Sequence, residues 1–164
     1  MTTQDTPATS DVWRPRATVA VVVADGPRFL MVEEEVLGRV AYNQPAGHLD
    51  AGETLAAAAV RETLEESGWT IELDHLVAIH QWQSHEHGEQ VIRFTFAGRA
   101  ISHDPDRVLD DGIVRALWLR RDEIAALNGR LRSPLVLESI DAWLAGQRLP
   151  LGVIGDLLPA TTRR

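Results

Sequence analysis

The chain has 164 residues, 45% of them hydrophobic and 24% charged, with a net charge of −8 and no cysteine. That length suffices for one domain with its own core. Lack of cysteine excludes disulfides and thiolate metal sites. The negative charge argues against binding nucleic-acid polymers, and the longest apolar runs are too short to span a bilayer.

Residues 1–15 (MTTQDTPATSDVWRP) read as a polar N-terminal tail. They lack the basic start and apolar stretch of a secretory signal, so a cytoplasmic location is expected. Residues 16–24 (RATVAVVVA) are β-branched and apolar, the pattern of a buried strand. Asp25-Gly26-Pro27 marks a turn, and residues 28–33 form the returning strand. Glu33, Glu34 and Glu35 are a charge run expected at a solvated strand end or loop. Residues 43–47 form a short strand or loop in which Pro45 argues against a central strand position.

A helix is expected over residues 54–67, with Gly68 as its stop. Its apolar side should carry Ala56, Ala57, Val60 and Leu64. Residues 71–82 read as a strand with a kink near Asp74-His75, and a polar turn at 84–89 leads to a hairpin partner over 90–100. An Asp-rich loop covers 102–112 and a strand 113–119. Short and long helices follow over 121–127 and 134–145, the latter with Ser133 as N-cap and Pro134 in its first turn. The order implies one α/β domain over 16–156, a mixed sheet between helices, with a C-terminal tail at 157–164.

The most informative stretch is GHLDAGETLAAAAVRETLEESGW, from Gly47 to Trp69. On a helix Glu62, Glu65 and Glu66 fall within about 100° of arc. Like charges so placed repel by a few tenths of a kcal/mol per pair, near the negative end of the helix dipole. A divalent cation would offset both penalties, and hard carboxylate oxygens suit Mg²⁺ or Mn²⁺.

The spacing of Gly47, Glu53, Arg61-Glu62, Glu65-Glu66 and Gly68 resembles the Nudix box, a loop-helix-loop signature of Mg²⁺-dependent enzymes that cleave phosphoanhydrides. All seven letter-specific positions match, against chance odds of roughly one in a hundred million per starting position. Thr63 departs from the pattern, standing where a bulky apolar residue is usual. NQPAGHL (43–49), HQW (80–82), RFTFA (93–97), LRSPLVLESI (131–140) and GQRLPLGVIGD (146–156) resemble a phosphatase subgroup of that family.

The resemblance implies the Nudix fold, an α/β/α sandwich. It also implies hydrolysis of nucleoside di- and triphosphates and of thiamine-pathway pyrophosphates. The alternatives are a pyrophosphohydrolase of nucleotide sugars or dinucleoside polyphosphates, and a non-catalytic Nudix-like ligand-binding domain. Either a monomer or a homodimer would serve, with a small phosphorylated molecule as partner.

Phosphoanhydride cleavage requires charge neutralisation at phosphate, a water in line with the leaving oxygen, and a base. Glu62 and Glu66, one turn apart, are expected as the main metal ligands, and Glu65 as ligand or base. The resemblance adds the Gly47 carbonyl as a ligand and makes Arg61 with Glu53 an orienting ion pair. Outside the box, Arg93 could bind a phosphate oxygen or form a surface salt bridge. Trp82 is either a stacking platform for a base or a core residue. His48, Asn43 and Gln44 are candidate substrate contacts. Asp110 or Asp111 could add an acidic ligand, although a solvated turn is the simpler reading. His85 and His87 are not expected to form a zinc site.

Overall fold

A computed structural model of the chain describes residues 13–84, 88 and 90–158. Most of the expected N-terminal tail, along with His85 and His87, lies outside the described residues. Seven strands form one sheet: β1 (Arg16–Asp25), β2 (Arg28–Val36), β3 (Arg39–Asn43), β4 (Ala46–His48), β5 (Trp69–Gln83), β6 (Gln90–His103) and β7 (Ile113–Arg120). The order is β3-β2-β1-β6-β5, with β4 joining β1 and β7 joining β2. β1 pairs in parallel with β6, from Arg16 opposite Val91 to Val23 opposite Gly98. Every other pairing between named strands is antiparallel.

Alternation along β1 divides the core. Val19, Val21 and Val23 pack with Ala58 and Ala59 of α1 (Leu55–Ser67) on one face. Val22, on the other face, packs with Ile124 of α2 (Arg121–Ala126) and with Val136 and Ile140 of α3 (Leu135–Leu144). This is the expected sandwich of a mixed sheet between helices. Among the described residues no helix is long and apolar enough to cross a membrane.

α1 is bounded by strong local chemistry. Thr54 caps its start by accepting a hydrogen bond from Ala57 N, and Gly68 ends it in the left-handed conformation at φ 70°. Such an N-cap contributes about 1 kcal/mol. The buried face differs from the expected one. Ala58, Ala59, Glu62, Thr63 and Ser67 are buried, whereas Ala57 is exposed. Thr63 fits without a bulky side chain because its hydroxyl donates to Ala59 O at 2.8 Å. The helix therefore turns one of its carboxylates inward.

Other expectations are corrected at the edges. Of the two readings of the Glu33–Glu35 run the strand end holds and the loop does not: the run closes β2, paired with β3 on one side and β7 on the other, with Glu35 exposed and Glu33 and Glu34 half-buried. β3 itself stands outside the strands expected from the sequence. The Ser133 side chain does not cap α3: Pro134 occupies the N-cap position and no side chain caps the turn. The kink expected near Asp74-His75 is a register shift between Leu73 and His75 in the β5–β6 ladder.

Candidate active site

Strand β4 and the turn after it bring Gly47, His48 and Glu53 against the carboxylate face of α1. Arg61 joins the two segments with all five of its N–H donors. Nε and Nη2 bind Glu53 Oε1 and Oε2, each at 2.9 Å. Nη1 reaches Glu62 Oε1 at 2.8 Å and Glu65 Oε2 at 2.9 Å, and Nη2 also donates to the His48 carbonyl at 3.1 Å. These bonds hold the Glu53 carboxyl below the usual range and the guanidinium above it. The two-pronged pairing fixes orientation as well as distance.

Glycine at position 47 has a steric cause. A Cβ there would lie 2.0 Å from the Glu62 carboxyl carbon, so the carboxylate occupies the space a side chain would fill. Burial raises the Glu62 carboxyl, an effect opposed by Arg61. Glu66 lies deeper. Its Oε2 accepts from Ala46 N at 2.8 Å, and burial pushes its carboxyl up to about 8.

The ligand atoms of Glu62, Glu65 and Asp110 lie within 4.8 Å of one another. Asp110 is exposed, as a solvated turn residue would be, yet it is tethered to the helix because its N–H donates to Glu65 O at 3.1 Å. Three hard oxygen donors so placed fit a divalent cation such as Mg²⁺ or Mn²⁺. Glu66 stands outside this trio, bonded to the β4 backbone.

Beside the carboxylates opens a cavity of about 230 Å³, lined in part by Ala46, Gly47 and His48. Asn43, Trp82 and Arg93 also line it. Trp82 is half-buried and belongs to none of the core clusters among the described residues. Gln44 is fully buried and absent from the lining; its Nε2 donates to Val136 O at 3.2 Å, tying the segment just after β3 to α3. Arg93 is not on the surface. Only 8% exposed, it has Nε and Nη1 without a hydrogen-bond partner among the described residues, and burial brings its guanidinium down to about 10.

Sequence reasoning passed over Thr18, Glu34, Arg132 and Ser133, which also line the cavity. Cross-strand register brings the first of these in: Thr18 lies opposite His48 on one side and Arg93 on the other. Glu34 is buried enough for its carboxyl to be raised, with Arg132 Nε 3.4 Å away.

A family model described as the NUDIX domain matches residues 14–139. The chain is 42% identical over 145 residues to a protein named Phosphatase NudJ from Escherichia coli (strain K12), covering 88% of this chain and 94% of that one. It resembles the solved structure of a NUDIX hydrolase from Nitrosomonas europaea with a TM-score of 0.86 and 43% identity, over 87% of this chain and 97% of the other. A UDP-X diphosphatase aligns at a TM-score of 0.67 over 87% of this chain and 69% of its own, with 18% identity, which speaks to the fold alone.

Proposed function

Starting from the fact that the chain belongs to the Nudix family and is a phosphoanhydride hydrolase, we propose that it is a Mg²⁺-dependent phosphatase. Its substrates are nucleoside di- and triphosphates and small pyrophosphates with a heteroaromatic ring, including those of the thiamine pathway. The observation that carries this reading is the single guanidinium of Arg61 holding Glu53, Glu62 and Glu65 together, with Asp110 close by. A non-catalytic ligand-binding domain would have no use for so ordered a set of carboxylates. The substrate range rests on the resemblance to Phosphatase NudJ over most of both chains.

Glu62, Glu65, Glu66, Asp110 and the Gly47 carbonyl are the groups that would hold metal. Bound there, Mg²⁺ or Mn²⁺ supplies charge neutralisation at the phosphate oxygens and lowers the pKa of water. Glu65 acts as the base that takes the water's proton, its carboxylate aimed by Arg61. Arg61 and Glu53 keep loop and helix in register. Arg93 supplies positive charge to the phosphates. Asn43 and His48 contact substrate from the cavity wall, and Trp82 stacks on the ring. The setting we assign is cytoplasmic.

Hydrolysis by the purified protein is expected to stop on chelation, return with Mg²⁺ and strengthen toward mildly alkaline pH. Orthophosphate released from a nucleoside diphosphate is the product to measure. Undiminished turnover after exhaustive chelation would overturn the proposal.

Trp82→Ala tests the ring contact. Because Trp82 sits at the cavity rather than in a core cluster, its loss should change the melting temperature little. It should weaken ring-bearing substrates by about 1–3 kcal/mol and spare inorganic pyrophosphate. A large drop in melting temperature with unchanged substrate preference would assign Trp82 to packing instead.

A further inference from the structure

The far wall of the cavity has chemistry that the carboxylate cluster does not use. Arg93 is a buried guanidinium with two nitrogen atoms lacking partners among the described residues. Buried charged donors without hydrogen-bond acceptors are costly, so the site is suited to an anion. Arg132 lines the same cavity and brings a second guanidinium. Ser133, between Arg132 and α3, is buried, as is Thr18, and among the described residues neither hydroxyl has a hydrogen-bond partner.

α3, which begins just beyond Ser133, has ten residues and no side-chain cap. A helix N-terminus carries roughly half a positive charge and open N–H groups. Two guanidiniums, hydroxyl donors and an uncapped helix start thus face one space. The opposing groups are Glu34, paired at 3.4 Å with Arg132, and Glu66, whose charge also acts on Arg93. Burial raises the Glu34 carboxyl, and its contact is with Arg132, which leaves Nε and Nη1 of Arg93 open among the described residues. Trp82, Val91 and Leu135 form the apolar part of the lining. The volume, about 230 Å³, lies below the roughly 300–1,000 Å³ typical of drug-sized ligands. It suits a phosphate and one aromatic ring.

We propose that Arg93, Arg132, Ser133 and the start of α3 form a receptor for the phosphate monoester that stays on the product. This rests on the hydrolase reading above and orients the substrate within it. The retained phosphate occupies the arginine wall with its ring against Trp82, while the phosphate to be removed lies at Glu62, Glu65 and Asp110. Water adds to that outer phosphorus, the bridging P–O bond breaks, and orthophosphate leaves. The bridging oxygen and its electron pair remain on the monoester.

Metal-free binding separates this proposal from the catalytic one. Uridine 5′-monophosphate, uridine and inorganic phosphate are titrated calorimetrically into the full chain in chelator. The monophosphate is expected to bind at least tenfold tighter than uridine, with inorganic phosphate competing against it. Arg132→Gln alters a half-exposed side chain and should fold; circular dichroism checks this. It should weaken the monophosphate about tenfold and leave uridine unchanged. With Mg²⁺, the same variant should raise KM for uridine diphosphate more than it lowers kcat. Equal affinity for uridine and its monophosphate, or a variant that binds the monophosphate like the wild type, overturns the receptor. So does inorganic phosphate that binds without displacing the monophosphate, since the wall would then hold the leaving group. Absence of hydrolysis alongside intact metal-free binding would instead count against the catalytic reading alone.

Discussion

Glu66→Gln is expected to lower turnover at least about a hundredfold, equivalent to roughly 2.7 kcal/mol on the barrier, while making the metal-free protein more stable at pH 8. Both effects follow from one buried carboxyl bonded to Ala46 N. Its folded-state pKa of about 8 lies above the ordinary value of 4.5, chiefly because burial penalises the charge, with Glu62, Glu34 and Asp110 adding to it. The folded chain therefore holds a proton that the unfolded chain gives up between those values. Its contribution to stability is complete below pH 4.5 and is lost as the pH rises through 8. Gln cannot ionise. Wild type and variant should melt together at pH 5, and the variant should melt higher at pH 8. Turnover near that of wild type at saturating Mg²⁺ would remove Glu66 from the metal-binding set. Melting curves that stay parallel across the pH range would show that its proton is not coupled to folding.

Gly47→Ala should separate activity from folding in the opposite sense. The added Cβ would arrive 2.0 Å from the Glu62 carboxyl carbon, closer than any contact can be. The obstructing atoms are the far end of a flexible side chain, so the clash can be relieved by swinging Glu62 away. The fold then survives at small cost, but Glu62 leaves both Arg61 and the carboxylate trio. A loss of about a hundredfold or more in kcat is expected, again about 2.7 kcal/mol, with a melting temperature lowered by only a few degrees. Full activity in the alanine variant would mean that Glu62 is not needed where the structure holds it.

The box helix was legible because its determinants are local. Thr54, the alanines and Gly68 each act within a few residues, and the glutamate spacing is a property of the helix itself. Which side of α1 is buried was less so. Apolarity pointed to Ala56, Ala57, Val60 and Leu64, but Ala58 and Ala59 are small enough to meet the sheet closely. Glu62 goes inward because Gly47 leaves room for it. Trp82 and Arg93 could be nominated from residue type, but choosing between their alternatives required the fold. The Arg93 environment depends on β1, β6 and α3 converging, and Gln44 is diverted to Val136 by the same convergence. Thr18 carries no local pattern to set it apart, and the local pattern at Arg132 and Ser133 points to a helix start rather than to a cavity wall. Glu34 was hidden in an acidic run, where strand pairing alone determines which carboxylate is enclosed.

Because β1 pairs in parallel with β6, one edge of the central strand is completed only by a segment about 75 residues further along the chain. Closing so long an interval has an entropic cost before any of its contacts form, and topologies of this kind fold slowly. During synthesis the chain passes through lengths at which Val19–Val23, wholly apolar, have no neighbour on that side. An unpaired apolar edge is a template for other chains. The same valines that bury themselves on both faces of the finished sheet are thus the segment most exposed to misassembly before β6 emerges.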